Sequence, residues 1–374
     1  MEKMTSGMMG DFNRRQIYHL IYQRQRISRI GIANELRLSL PTVNQKLKAL
    51  EEEKLIERNG FFESTGGRKS IVYSCVTNAR VAVGAHITVH YIRLVAVDMY
   101  GKILRRVQID EDYEHAEDYY RRFGEHVNAF IKTLNMSTKK IMGVGIALVA
   151  LLSKDRQSVA KSVLLGSSEG TLADFGRWVD VPCQMFHDSE AAAMAEMWFS
   201  PGITDAMYLG LNYHLNGMLI LNGKIHVGKE YTGGLVEHMT LHPGGALCYC
   251  GKRGCFTTYC SGRVLFEDKE GACQEFFVRL RGGDREIGDK WSEFMEQLAI
   301  AIGSLSAVLD CDIILGGQIG AFMTQEDVSS LQRMVREQFQ YAPSTDFICL
   351  GYKDEDVCAC GAALAYISEF MEEM

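Results

Sequence analysis

Three cysteines, Cys248, Cys250 and Cys255, fall within eight residues, and His238 stands ten positions before the first of them. One imidazole and three thiolates form a closed set of four donors, the pattern of a structural zinc site. Gly251 and Gly254 let the backbone turn tightly around the thiolates. A hydrolytic zinc centre needs an open coordination position and a general base, and four protein ligands leave neither. Glu237 lies beside the set without joining it. The residues therefore predict structural Zn2+ held by His238, Cys248, Cys250 and Cys255. The other eight cysteines (Cys75, Cys183, Cys260, Cys273, Cys311, Cys349, Cys358 and Cys360) are scattered and read as small core side chains. Cys358 and Cys360 stand just ahead of an apolar helix.

A length of 374 residues with 47% hydrophobic and 23% charged side chains fits a globular chain of two or three domains. The longest near-apolar run, Gly143 to Leu152, is about half a bilayer span, so no membrane helix is expected. The first ten residues lack the apolar stretch of a secretory signal, and a cytoplasmic protein is expected. Charge is unevenly placed. Residues 1–80 carry 14 Lys+Arg against 8 Asp+Glu, while the rest carries 26 against 39. A basic head on an acidic body fits one part that meets phosphate and one that does not.

The head has the spacing of a winged helix-turn-helix. Ile17, Leu20 and Ile21 give an apolar helical face over about residues 12 to 25. Ser28 can cap a second helix, buried through Ile32, Ala33 and Leu36. After the tight connection Arg37-Leu38-Ser39, a third helix starts near Leu40-Pro41, with Val43, Leu47 and Leu50 inward. Ser39, Thr42, Asn44, Gln45, Lys46 and Lys48 are left for a DNA major groove. Two short strands, Leu55-Ile56-Glu57 and Ile71-Val72-Tyr73, flank a glycine-bent wing with Arg68 and Lys69 at its tip, suited to phosphate or a narrow minor groove. The head is set at residues 1–78 and the body at 79–374.

In the body, strand-like runs alternate with helical ones, which implies a layered α/β architecture. Strands are expected at 81–87, 91–98, 103–104, 141–149 and 312–315, and a polar helix at about 112–135. A hairpin is expected over 206–227 turning at Asn222-Gly223. Helices are expected at 191–199, where Asp188 could serve as N-cap, and at 291–309 and 325–340. No short-period repeat is visible, which excludes a solenoid.

At this point the residues resemble the ROK proteins (repressors, open reading frames and sugar kinases), in particular their transcription-factor branch. The resemblance rests on His238 with Cys248-Tyr249-Cys250-Gly251-Lys252-Arg253-Gly254-Cys255, on the Ser28-Arg29 helix start, on the Gly66-Gly67-Arg68-Lys69 wing, and on Asp312 to Gly317 and Gly361-Ala362-Ala363. It implies an actin-like, sugar-kinase (ASKHA) type body of two lobes around a cleft.

The chain departs from the family's kinases where their chemistry resides. Their first-strand Asp aligns with His86, and their GTGxGxG phosphate loop with Asn212-Tyr213-His214-Leu215-Asn216-Gly217-Met218, which keeps one glycine. Phosphate needs close approach of backbone amides, which bulky side chains obstruct. The family's NDAN segment aligns with His187-Asp188-Ser189-Glu190, the Glu of GEIGH with Leu235, and the GxPG turn with Gly145-Ile146-Ala147-Leu148. A sugar hydroxyl buried without its partner costs about 1–3 kcal/mol. His187, Asp188, Glu190 and His238 remain to recognise a ligand. The resemblance thus implies a non-catalytic regulator, a repressor of carbohydrate-related genes, that binds double-stranded operator DNA as a homodimer or homotetramer and senses a sugar or sugar phosphate. A regulator with an empty cleft and a working sugar kinase are the alternatives.

Overall fold

In a computed structural model, residues 6–63, 69–166, 169–267, 269, 272–342 and 346–374 are described. The head comprises α1 (Ser6–Arg24), β1 (Ile27–Ser28), α2 (Arg29–Leu36), α3 (Leu40–Glu52), β2 (Ile56–Phe61) and β3 (Ile71–Cys75). Both expected caps form. The Ser28 side chain accepts from Gly31 N at 3.1 Å and that of Ser39 from Thr42 N at 3.3 Å, which fixes where each helix begins. Ile17, Ile21, Ile32, Val43, Leu47 and Leu50 close the small core between the three helices.

The first lobe contains β4 (Val81–Ile87), β5 (Tyr91–Val97), β6 (Ile103–Asp110), α4 (Glu117–Thr133), β7 (Ile141–Leu148), β8 (Leu151–Leu152), β9 (Val159–Lys161), α5 (Leu172–Gly176), β10 (Cys183–His187) and α6 (Asp188–Phe199). The second contains β11 (Ala206–Gly210), β12 (Asn216–Leu221), β13 (Lys224–His226), α7 (Ala272–Arg281), α8 (Arg285–Ser306), β14 (Asp312–Gly316), α9 (Gly317–Phe322), α10 (Gln325–Gln338) and β15 (Ile348–Leu350), and the chain then returns to the first lobe as α11 (Val357–Glu373). The two five-stranded sheets run β10-β7-β4-β5-β6 and β13-β12-β11-β14-β15. Each is an antiparallel three-strand meander extended by two parallel strands, so the lobes share one wiring. That duplication is the actin-like architecture.

Several expectations need correction. Residues 206–227 form three strands rather than one hairpin, because the loop 211–215 separates β11 from β12, and Asn222-Gly223 turns β12 into β13. Both turn residues have positive φ, +53° and +67°, as such a turn requires. The N-cap of α6 is His187, and Asp188 is already helical. Cys358 and Cys360 lie inside α11 rather than ahead of it.

The last helix lies flat on the first lobe. Gly84 of β4 and Gly145 of β7 are register partners. A Cβ on either would sit 1.7 Å from Ala359 O or 2.0 Å from Ala362 O, so only glycine admits α11 at this depth. The head docks on the far end of the same helix. Tyr18 meets Phe370 edge-on at 6.4 Å, and Arg15 Nη2 donates to Glu373 O at 2.9 Å. Tyr22 stacks on Tyr100 at 4.3 Å and donates to Met99 O at 2.8 Å. Head and first lobe therefore share one apolar core.

Glu196 on α6 reaches into the second lobe, where its carboxylate accepts from Tyr352 N at 2.8 Å. Burial, at 1% exposure, pushes its pKa up to about 7. A carboxyl that binds its proton more tightly when folded gives stability that is full below the unfolded value and is lost as pH rises through about 7. Between pH 5 and 8.5 that loss amounts to about 2.5 kcal/mol. Glu196→Gln is expected to match the parent in urea denaturation at pH 5 and to exceed it at pH 8.5.

Candidate DNA interface, ligand cavity and metal centre

The outer face of α3 is narrower than the sequence implies. Leu40, Pro41, Asn44, Gln45 and Lys48 are exposed, at the spacing of one helical stripe, whereas Thr42 and Lys46 are half-buried. Ser39 and Thr42 bond each other through their hydroxyls at 2.8 Å. Lys46 leans toward α1, its Nζ 3.2 Å from where a Cβ on Gly10 would be. Around the stripe, Arg29, Arg37 and Lys69 are exposed. Arg24 is tied to Glu35 at 2.8 Å and Arg58 to Glu51 at 2.7 Å. Arg68 lies outside the described residues.

Between the lobes, the junction of β10 and α6 opens into a cavity of about 150 Å³ lined by His187, Asp188, His214, Asn216, Leu235, Glu237, His238 and Tyr249, among others. The fold places Asp188 there because a strand end and a helix start meet. His187 Nδ1 lies 3.2 Å from Ser189 N and 2.6 Å from Ser189 Oγ, which holds the ring over the start of the helix. Asp188, 3% exposed, accepts from Ser189 N at 2.8 Å and from Asn216 Nδ2 at 2.6 Å. Burial pushes His214 down to about 4 and Glu237 up to about 8. One oxygen of Glu237 is buried with no hydrogen-bond partner among the described residues. Apolar side chains, Leu151, Val163, Leu164, Leu215 and Leu235, complete the wall. Glu190 does not face this cavity with Asp188. It pairs with Arg156, which covers the Phe186 ring at 5.2 Å, in an adjoining pocket.

The loop 211–215 is tied down by its own side chains. Gln318 Oε1 accepts from Tyr213 N at 3.1 Å, and Asn212 Oδ1 accepts from Gln318 N at 2.9 Å. The space left beside Tyr91, Phe266 and Gln318 is about 20 Å³, room for about one water.

The four predicted metal donors do converge. Their ligand atoms all lie within 4.8 Å of one another. Cys250 Sγ and Cys255 Sγ are 3.7 Å apart, as are Cys248 Sγ and His238 Nδ1. Tetrahedral bonds of about 2.3 Å to sulfur and 2.0–2.1 Å to nitrogen give edges of about 3.8 and 3.6 Å. Those two edges match, and the four donors together could hold one metal ion. Gly254, at φ +79°, passes so close to His242 O that a Cβ would stand 1.6 Å from it, which keeps the loop closed. Tyr249, between two of the thiolates, packs on the His238 ring at 5.1 Å and so joins the centre to the cavity wall.

The ROK family profile matches residues 82–368, and a winged helix-turn-helix DNA-binding profile matches residues 13–57. The chain belongs to the ROK family. The xylose repressor of Caldicellulosiruptor bescii is 20% identical over 357 residues, covering 88% of this chain and 89% of that one. The DNA-binding transcriptional dual regulator NagC of Escherichia coli is 26% identical over 266 residues, 69% of this chain and 64% of its own. Among solved structures, a ROK family transcriptional regulator, homolog of the E. coli MLC protein, superposes with a TM-score of 0.71 at 20% identity over 97% of this chain and 98% of that one. A ROK family glucokinase from Streptomyces griseus, bound to glucose and AMPPNP, gives 0.64 at 20% identity over 76% of this chain and 98% of its own. These likenesses show the fold.

Sequence reasoning missed Asn216 as the partner of Asp188, because the bond crosses from the second lobe. Asn216→Ala would leave a buried carboxylate short of a donor, and is expected to cost about 2 kcal/mol in urea denaturation at pH 7.

Proposed function

We propose that this protein is a sugar-responsive transcriptional repressor whose kinase-like body senses rather than catalyses. The observation that carries this reading is the shared core. A helix-turn-helix head is fastened to a two-lobed body through α1, and the ligand cavity lies at the other end of the helix that supports the contact. His187 and Asp188 begin α6, and near its end Trp198 Nε1 donates to Tyr100 O at 3.3 Å. Tyr100 in turn stacks on Tyr22 of α1. A ligand that favours one arrangement of the lobes biases the head through this rod, and only to the extent that it binds the two arrangements unequally. Two heads set by a dimeric body would read a palindromic site at a fixed spacing.

Non-catalysis is supported by the segment Asn212 to Met218, where Tyr213 and His214 occupy the stretch that in the family's kinases is glycine, and by the Asn212–Gln318 tie across it. The cavity's ligand is read as a small sugar-like molecule met by His187, Asp188 and His238. Leu235 and the Arg156–Glu190 pair remove polar partners, which favours a ligand less hydroxylated than a free hexose.

Zinc is the metal this reading assigns to His238, Cys248, Cys250 and Cys255, because three thiolates and an imidazole in a tetrahedron suit that ion. Held there, it would fix the loop and supply no chemistry. Purified protein is expected to contain about one zinc per chain by elemental analysis, and its removal by chelator to lower Tm by at least about 5 °C.

The signalling reading is tested by thermal shift and operator binding together, over a panel of sugars, sugar phosphates and amino sugars. A ligand that raises Tm is expected to weaken DNA binding of the parent at least tenfold. In Tyr22→Ala it should raise Tm alike while leaving DNA affinity nearly unchanged. If nothing in the panel moves Tm, the sensing role falls and a regulator with an empty cleft takes its place.

A further inference from the structure

In the first turn of α3 the two hydroxyls are turned toward each other. Ser39 Oγ receives Thr42 N and bonds Thr42 Oγ1. Pro41 has no N–H to offer. Beyond the exposed Ser39, what this turn shows to solvent is apolar: Leu40 is 45% exposed, with Pro41 exposed beside it. One turn on, the exposed residues are the amides Asn44 and Gln45, and beyond them Lys48. The stripe is therefore graded from hydrocarbon to amide to cation.

A recognition helix enters the major groove with its N-terminal residues at the base edges. Of the features that unmodified base pairs display there, hydrogen-bond donors and acceptors distinguish most, and the one apolar feature is the 5-methyl group of thymine. The hydrocarbon that Leu40 and Pro41 turn outward can gain from that methyl and from no other feature of the base edges. We infer that Leu40 is a specificity-determining residue of the head, reading a thymine 5-methyl group in each DNA half-site, with Asn44 and Gln45 reading hydrogen-bonding edges of the neighbouring pairs. The inference rests on the head's binding to duplex DNA, and its test separates the two.

Full-length protein would be used to select binding sites from a random duplex pool, and the selected site then remade with deoxyuridine at single thymines. Loss of one methyl contact corresponds to about 0.8 kcal/mol, or about a fourfold loss of affinity. The expected result is that one thymine per half-site shows this loss with the parent protein and that Leu40→Ala binds the thymine and uracil duplexes equally. The exposed position of Leu40 spares the fold, and the parent's response to uracil stands without any variant. If uracil is tolerated at every thymine, or if Leu40→Ala keeps the parent's discrimination, the assignment to Leu40 is wrong while DNA binding stands. If no duplex is retained from the pool, the DNA-binding reading falls with it.

Discussion

Backbone laid directly on backbone is the contact from which the rest of this molecule hangs. The paired Gly84 and Gly145 open a flat seat across two parallel strands, and the small residues of α11, Ala359 and Ala362, press their carbonyls into it. On its other side Gly361 brings the same helix against Ala191 O of α6, where a Cβ would fall 1.6 Å away. Contacts this close leave no room for a side chain, so α11 has one depth and one rotation. Because α11 cannot shift without moving α6 and the sheet, its exposed end is a rigid place to fasten a DNA-binding head.

That rigidity gives the interdomain contact its meaning. A head on a flexible tether would search for DNA independently of the body. Here Tyr18, Tyr22 and Arg15 meet Phe370, Tyr100 and Glu373 O through one edge-on ring contact, one stacked pair and a hydrogen bond. The body's two lobes are joined by Glu196 on the same α6 that carries Asp188 at its start. One helix thus touches the cavity, the lobe joint and the support of the head.

What the sequence disclosed was local chemistry. Ser28 and Ser39 announced helix starts because a cap is decided within three residues. The metal loop was equally plain, its donors sitting within eighteen positions of one another. The doubled wiring of the two lobes entered only through the family resemblance, since hydrogen-bonded strand order leaves no trace in periodicity once side chains have diverged. Thr42 and Lys46 looked outward on periodicity, yet Ser39 claims the one hydroxyl and α1 crowds the other side chain. Asp188 looked like a cap, but the ring of the residue before it takes that backbone donor as well. Glu190 looked like a ligand group until Arg156, thirty-four positions away, claimed it. In each case a partner distant in sequence or a neighbour's competition decided the outcome.

Tyr249 belongs to two structures at once, flanked by thiolates of the metal loop and facing the cavity. Stripping the ion would slacken that loop and take a wall away from whatever small molecule rests beside it. Order in the cavity and closure of the cysteine loop are thus secured, or lost, together.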